Sequence, residues 1–274
     1  MPPEVRMSET VESAREAVAR ADALVEKVEG GSFVSEKKEA AAVDEARGLY
    51  LGAIEVLEGA GDVAALAGAL HGLGHLVRRV GSVDVQPDPT AAEPLLLRAA
   101  DLWGSIGDVS ARLRALVGLG ESRPMHPTVE EGVMEAVAAG LPPDLHPDGD
   151  PLHLIVARSQ AQQPDAAVAL AEALFAEAMR AGNRPRAARV LIEIGRVEDG
   201  RKRRKEARER FEAALELAEG DNEQTLRALL HLVDAWWSTG NAKKAKELFA
   251  RAEKIRGVPE SLRTLRKMTA MALR

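Results

Sequence analysis

The sequence predicts an all-α protein, an α-solenoid of about six helix-turn-helix repeats that ends in a capping helix. Apolar residues recur at helical spacing along most of the chain, and no run of alternating β-branched residues suggests a sheet. The composition is 46% hydrophobic but only 3% aromatic, which is typical of Ala- and Leu-rich helices stacked in one dimension. Because each repeat of such a stack contacts only its neighbours, we interpret all 274 residues as one domain.

Residues 221–252 predict one unit of the repeat, a pair of antiparallel helices joined by a tight turn at residues 239–241. Each helix carries one apolar stripe, because residues at i, i+3 and i+7 share a helix face. An isolated pair would leave an apolar flank in water, so neighbouring pairs must cover it. The stripes are Leu229, Leu232 and Trp236 in the first helix and Ala245, Phe249 and Ala252 in the second.

The same unit recurs at a fixed spacing. A Gly-Asp or Gly-Asn turn precedes a first helix with a small residue, which we expect where two helices approach closely, since Gly otherwise costs about 1 kcal/mol in a helix. The turns are Gly61-Asp62, Gly107-Asp108, Gly182-Asn183 and Gly220-Asp221, and the small residues are Gly74, Gly120, Gly195 and Val233. The other second helices carry Ala46-Tyr50-Ala53, Glu93-Leu97-Ala100, Ala171-Phe175-Ala178 and Ala207-Phe211-Ala214, of which the Glu93 set departs from the pattern.

These motifs resemble the tetratricopeptide repeat (TPR) family, whose first helix carries W-x2-L-G-x2-Y and whose second carries A-x3-F-x2-A. Leu229, Leu232, Val233 and Trp236 stand at the first-helix positions, with Leu for Trp and Val for Gly. The resemblance implies degenerate, bacterial-type TPR repeats that form a right-handed superhelix. It also implies a concave groove that binds a peptide or another protein.

Domain boundaries follow from the same patterns. We expect a flexible leader at residues 1–8, the TPR-like superhelix at residues 9–258 and the capping helix at residues 259–274. A cap needs one apolar side for the last repeat and one polar side for water. Its predicted apolar stripe is Leu262, Leu265, Met268 and Ala272.

Proline-containing segments interrupt the repeats at two places. Residues 82–90 are expected to form a loop. Residues 122–151 are irregular, because six prolines there restrict the preceding residues away from helix. A short helix at about 128–139 and a loop at 140–151 fit this segment, and the loop is either a structural irregularity or a binding loop.

Several function classes lack their sequence signals. The chain has no cysteine, which excludes disulfides, thiolate zinc sites and a cysteine nucleophile. No signal peptide and no apolar run of membrane-spanning length are present, so we expect a cytoplasmic protein without membrane contact. Nucleotide-binding glycine motifs and a nucleophile elbow are also missing. We therefore expect no enzyme activity and no cofactor.

His71 and His75 form the one pattern with metal-binding spacing, since two histidines at i and i+4 can reach the same zinc ion. The glutamate of an HExxH motif is missing, and no third ligand is evident nearby. The family register places both residues on the groove side of their helix. We therefore predict that they line the groove and that no metal is bound, with zinc as the alternative.

The charge distribution suggests a partner. Residues 184–274 hold 22 Lys and Arg against 14 Asp and Glu, whereas residues 1–183 hold 15 against 29. This split favours either an acidic partner or salt-sensitive, head-to-tail self-association.

The basic run Arg201–Lys205 is interpreted as a solvated helix start. Binding of nucleic acid is the alternative, although few groove aromatics are available to stack on bases.

The family register also predicts the binding surface. Arginines stand six residues before the small residue in three repeats, and histidines and a further arginine surround Gly74. Because Val117, Ile192 and Leu230 replace the lysine of the family's carboxylate clamp, a C-terminal carboxylate ligand is not expected. The sequence instead predicts a non-catalytic protein–protein interaction scaffold that holds an extended acidic segment by charge-assisted hydrogen bonds. Arginines paired with glutamates of adjacent repeats are the alternative. The predicted groove residues are His71, His75, Arg78, Arg114, Arg189, Arg227 and Trp237.

Overall fold

The computed structural model describes residues 3–33, 35–79, 87–143 and 145–273. Thirteen α-helices and one short 3₁₀ helix, Pro147–Gly149, lie in these residues, and no strand occurs among them. The α-helices are α1 (Pro3–Glu29), α2 (Glu36–Ala60), α3 (Val63–Arg79), α4 (Pro89–Ser105), α5 (Val109–Ser122), α6 (Pro127–Ala139), α7 (Leu152–Gln160), α8 (Pro164–Arg180), α9 (Arg184–Gly200), α10 (Arg204–Leu217), α11 (Asn222–Ser238), α12 (Ala242–Ala252) and α13 (Glu260–Ala272).

Consecutive helices pack as the repeat predicts. The two helices of a pair contact each other in α1–α2, α3–α4, α7–α8, α9–α10 and α11–α12, and successive pairs meet through α2–α3, α4–α5, α8–α9 and α10–α11. In the remaining pair, a side chain on Gly132 of α6 would overlap Leu116 of α5. The prediction of an all-α solenoid of six helix pairs followed by one terminal helix is therefore confirmed.

The helices are distributed over two compact units. The N-terminal unit comprises Met1–Ala136 and Pro142–Asp150, and the C-terminal unit comprises Val137–Leu141 and Pro151–Arg274. The division falls inside the segment 122–151 that the prolines mark as irregular. The short helix predicted there is α6, which ends at Ala139, just before Gly140 adopts a positive φ of 99°. The repeat pattern suggests one domain and gives no sign of this division.

The Gly-Asp and Gly-Asn turns work by two local devices. Gly182 ends one helix with a φ of 68°, a left-handed conformation that side chains disfavour. The next residue caps the following helix, because the side chain of Asn183 accepts a hydrogen bond of 3.1 Å from the backbone N–H of Arg186. The same capping bond is made by Asp62, Asp108, Asp221 and Asn241.

Two of the small residues of the first helices, Gly74 and Gly195, lie where helices approach closely, as predicted. A Cβ on Gly195 of α9 would overlap the ring of Phe211 in α10. A Cβ on Gly74 of α3 would lie 2.9 Å from the Leu96 side chain in α4. The sequence pattern therefore reports backbone proximity in both units.

Two predicted details differ from the structure. α1 begins at Pro3, inside the expected leader of residues 1–8; proline is well tolerated in a first helical turn, where its missing N–H would have no partner. In α4 the predicted Ala100 is buried, but Glu93 and Leu97 are only half-buried, and their neighbours Ala92 and Leu96 are buried instead. Glu93 instead forms an ion pair of 2.8 Å with Arg123. Most of the loop predicted at 82–90 lies outside the described residues.

The terminal helix α13 buries less than the predicted stripe. Leu262 is buried, but Leu265 is 40% exposed and Met268 is 62% exposed. The helix packs against α11, and Arg266 fixes it by donating hydrogen bonds to the carbonyl oxygens of Ala252 and Ile255. The prediction that the whole stripe covers the last repeat is therefore wrong, because Leu262 is the one buried member of the four.

Candidate functional site

Three predicted groove residues of the N-terminal unit come together at a polar cavity of about 250 Å³. His71 and His75 reach it from α3, and Arg114 reaches it from α5. Arg114 and His71 are 43 positions apart in the sequence. The other polar side chains of the wall come from α1, α2 and the segment before α7. They are Asp22, Glu26, Glu29, Tyr50, His146 and Asp148.

His71 is a neutral histidine held by an arginine. Its Nδ1 lies 2.9 Å from Nη2 of Arg114, and its ring packs against Trp103 with centroids 5.4 Å apart. Because a guanidinium can only donate, Nδ1 must accept, and the ring proton of this tautomer lies on Nε2. Burial, and then the charge of Arg114, lower the pKa of His71 well below its usual value.

Tyr50 and His75 connect the cavity to the carboxylates of α1. The Tyr50 hydroxyl donates a hydrogen bond of 2.6 Å to Asp22, and burial raises its pKa. His75 Nε2 lies 2.8 Å from a carboxylate oxygen of Glu29. Gly72 makes room for this arrangement, since a Cβ there would lie 2.6 Å from the Tyr50 ring. The cavity wall is thus ordered by contacts among α1, α2 and α3.

Arg78 is placed differently from the other predicted groove residues. Its side chain is 7% exposed, and its Nη1 lies 2.7 Å from the carboxylate of Glu121 in α5. Arg79 reaches the same carboxylate at 3.2 Å from a more exposed position. Arg78 therefore follows the alternative interpretation, pairing with a glutamate of the adjacent repeat.

Two predicted arginines lie on first helices of the C-terminal unit. Arg189 is exposed on α9, and Arg227 lies on α11, which packs against α9. Nη2 of Arg227 lies 2.8 Å from Glu223 of its own helix, so this pairing leaves the adjacent repeats uninvolved. His231 stacks on Phe211 with centroids 5.1 Å apart. Burial, with the charges of Arg196 and Arg227, lowers the pKa of His231 to about 4.

An open groove of about 390 Å³ lies between α11 and α13. Trp237, which is 37% exposed, forms one wall, and Leu265 and Met268 form the other. Asp234 lies in the same groove, where burial and then the charge of Asp199 raise the pKa of its carboxyl group. We call this feature the α11–α13 groove.

The basic run Arg201–Lys205 is largely engaged in local ion pairs. Arg201 contacts Asp165 at 2.7 Å, and Arg203 contacts Glu198 at 3.4 Å. Lys205 pairs at 3.8 Å with Glu209 on the next turn of α10. These contacts agree with the interpretation of the run as a solvated helix start.

Neither a metal site nor a membrane span is found in the described part of the chain. In the ranges given above, no group of three or more histidine and carboxylate side chains could hold a metal ion. No helix among these residues combines the length and the apolar character needed to cross a bilayer.

The chain resembles known proteins at the level of solved structures. No family model matches it, and no curated protein matches it. Among solved structures, the chain is similar to the crystal structure of BtubC (BKLC) from P. vanneervenii, with 13% identity, 91% of each chain covered and a TM-score of 0.40. It is also similar to the de novo designed helical repeat protein DHR64, with 19% identity, 97% of this chain and 98% of the design covered and a TM-score of 0.17.

The sequence patterns miss several residues of both sites. Asp22, Glu26 and Glu29 have the pattern of ordinary polar residues of α1, and Leu265 and Met268 fit a buried stripe. One signal was present for the cavity. Tyr50 is the only tyrosine of the chain and stands where the other repeats have phenylalanine or leucine, and a buried tyrosine hydroxyl needs a partner.

Proposed function

We propose that the protein is a non-catalytic, TPR-type scaffold whose C-terminal unit binds an extended acidic segment of a partner protein. The observation that carries the proposal is the α11–α13 groove, an open, largely apolar surface whose lining includes Leu230 and His231, one helical turn after Arg227. Its volume of about 390 Å³ suits one or two large apolar side chains of a partner.

The groove residues have the chemistry of an interaction surface. Tryptophan is enriched among the residues that dominate binding energy, and Trp237 is the accessible aromatic of this surface. Met268 and the neighbouring Met271, which is 72% exposed, have flexible thioether side chains that adapt to different partner shapes. These features favour a partner segment with an apolar anchor residue.

Charge supports an acidic partner. Residues 184–274 carry eight more basic than acidic side chains. Arg227 lies on α11, which forms one wall of the groove, and Arg189 lies on α9, which packs against α11. Arginine forks bind carboxylates through paired hydrogen bonds, whereas the ion pair of Arg227 with Glu223 is a half-exposed i,i+4 pair worth only about 0.3–0.5 kcal/mol. A partner carboxylate can therefore compete for Arg227 at low cost.

The test is direct binding of a defined probe. A fluorescein-labelled peptide with several aspartates and glutamates around one phenylalanine is titrated with the protein, and its anisotropy is measured. A peptide with Asn and Gln in place of the acids serves as the ligand control. We expect the acidic peptide to bind and the neutral one to bind at least about tenfold more weakly, since each lost charge-assisted hydrogen bond is worth about 1.5–3 kcal/mol.

Two variants divide the proposal into its parts. Trp237→Ala should weaken binding by removing the apolar anchor, and Arg189→Glu with Arg227→Glu should abolish it. Lys243→Glu with Lys246→Glu makes the same change in net charge on α12, away from the groove, and should leave binding nearly intact. Equal losses in both charge-reversed variants would mean that net charge alone attracts the peptide. Full binding by the Arg189 and Arg227 variant would move the binding site elsewhere.

Self-assembly is the second candidate function, and the charge split between the two ends of the sequence favours it. In that case the acidic residues of one copy would attract the basic residues of another. The salt dependence of the molecular mass separates this candidate from the scaffold, which requires no second copy.

A further inference from the structure

The polar cavity of the N-terminal unit holds more negative than positive charge. Asp22, Glu26, Glu29 and Asp148 contribute carboxylates to its wall, whereas Arg114 contributes the guanidinium. That guanidinium donates its hydrogen bond to His71 and not to a carboxylate. His71 itself is neutral, as its hydrogen bond from Arg114 requires, so it does not offset the negative charge.

None of the four carboxylates contacts a lysine or an arginine within the described ranges. Asp22 accepts from Tyr50, Glu29 contacts His75, and Asp148 lies 3.7 Å from Nδ1 of His146. The side chain of Glu26 makes no hydrogen bond or ion pair with any residue that the structure describes. Carboxylates gathered in a concave site focus a negative potential, which favours entry of a cation.

The cavity also offers hydrogen-bond donors. His71 is 6% exposed, and in its tautomer the Nε2–H has no acceptor among the described residues, although the ring lines the cavity. The Nε–H of Arg114 is buried without a partner in this part of the chain. Buried donors usually have acceptors, so Arg114 points to an oxygen atom supplied from outside, and His71 offers a second donor to a molecule in the cavity.

We propose that the cavity binds a small organic cation, a guanidinium or primary ammonium group on a molecule that also carries a carbonyl or carboxylate oxygen. The cationic group lies against Glu26 and Glu29, and the oxygen accepts from the Nε2–H of His71. Basic amino acid derivatives and basic residues of a peptide share this chemistry. This site is independent of the acidic segment proposed for the C-terminal unit.

Size limits the ligand to about one amino acid side chain with its carbonyl group. The cavity volume of about 250 Å³ lies below the roughly 300–1,000 Å³ of typical small-molecule sites. A nucleotide would not fit within it. A longer peptide could place only one residue inside, with its other residues outside the cavity.

Isothermal titration calorimetry with N-acetyl-arginine amide tests the proposal at low ionic strength. N-acetyl-citrulline amide has nearly the same shape without the charge, and methylguanidinium has the charge without the carbonyl oxygen. We expect each control ligand to bind at least about tenfold more weakly than the arginine derivative, because each lacks one of the two required groups. Equal binding of the citrulline derivative, or no measurable binding of the arginine derivative, would overturn the proposal.

A matched pair of variants locates the site. Glu26→Gln with Glu29→Gln removes two cavity charges from α1, and Glu12→Gln with Glu16→Gln removes two charges from the same helix outside the cavity. The first variant should weaken binding about tenfold or more and the second should not, with helical circular dichroism unchanged in both. Binding that is equally strong in the first variant would place the cation elsewhere and refute the assignment.

A second titration identifies the source of the cation. A short peptide with one arginine among glycines and serines is compared with N-acetyl-arginine amide. If the peptide binds about tenfold more tightly than N-acetyl-arginine amide, the cavity is assigned to a basic segment of a protein, because the flanking backbone then adds contacts. Binding of the free derivative alone would assign it to a small molecule, and both results support a cation site.

Discussion

The two units use equivalent positions of their first helices in opposite ways. Arg78 in α3 and Trp237 in α11 both stand four residues after the small residue of the repeat. Arg78 is buried and bonded to Glu121 from the next helix pair, whereas Trp237 is exposed beside α13. The element packed next in the stack therefore decides whether a repeat position is interior or surface.

Replacing the buried arginine should destabilise the protein most. Arg78→Ala should lower the free energy of unfolding by about 1.5–3 kcal/mol, because Glu121 loses its buried partner and keeps only the ion pair with the more exposed Arg79. Trp237→Phe should change it by less than about 1.5 kcal/mol, since an aromatic ring is kept at a position that is 37% exposed. Arg79→Ala, which removes the exposed partner of the same carboxylate, is the matched control. Chemical denaturation measures all three, and equal losses for Arg78→Ala and Arg79→Ala would contradict this account.

The close helix approaches of the two units should differ in their tolerance of a methyl group. Gly195→Ala should cost about 1–3 kcal/mol, because the new Cβ meets the stiff ring of Phe211. Gly74→Ala should cost less, since the flexible side chain of Leu96 can turn away. Gly200→Ala at the end of α9 has no atom within 4 Å and should be neutral or stabilising. Melting temperatures rank the three variants, and a stable Gly195→Ala protein would refute the predicted spacing.

Low pH should destabilise both units through their buried histidines. The pKa of His231 is lowered from 6.5 to about 4, so between these values the unfolded chain binds a proton that the folded chain does not. The contribution of His231 to the free energy of unfolding is complete above pH 6.5 and is lost as the pH falls towards 4. At pH 5 the free energy of unfolding has fallen by about 2 kcal/mol from this cause. His71 acts in the same direction.

Single replacements separate the two histidines. His231→Gln and His71→Gln should each reduce the difference in unfolding free energy between pH 7 and pH 5. Replacing the exposed His146 by Gln should have a smaller effect than either. A pH difference that is the same in all three variants and in the unchanged chain would show that carboxylates, not these histidines, cause it.

Association between copies should be the weakest of these effects. If the acidic and basic ends of the sequence attract each other, light scattering at low salt should give a mass above that of the monomer. Adding salt to about 1 M shortens the Debye length from about 10 Å to about 3 Å and should restore the monomer. A monomer at low salt and high protein concentration would leave the scaffold as the sole candidate function.

The sequence predicted part of the two sites. His71, His75 and Arg114 are singled out by their repeat positions, and Trp237 is suggested as an anchor. Their bonding was not predictable, since the pairing of Arg114 with His71 joins residues 43 positions apart. No local rule specifies which of many arginines approaches a given histidine.

The helix pairs and their turns follow from the amino-acid sequence alone. The positive φ of Gly182 and the cap by Asn183 depend on neighbouring residues only, and the apolar stripes depend on helix geometry. Gly74 and Gly195 could be assigned to close approaches because glycine inside a helix is unfavourable without such a reason. These features are local, so a periodic pattern is enough to reveal them.

Which element packs on the outer face of each first helix, in contrast, depends on the tertiary structure. Packing brings Glu29 from α1 against His75 and places Glu121 against Arg78, while α13 leaves Leu265 and Met268 exposed beside Trp237. An apolar or charged residue at a helix face has the same sequence pattern whether the next element covers it or not. Burial is a property of two surfaces in contact, and the sequence of one helix describes only one of them.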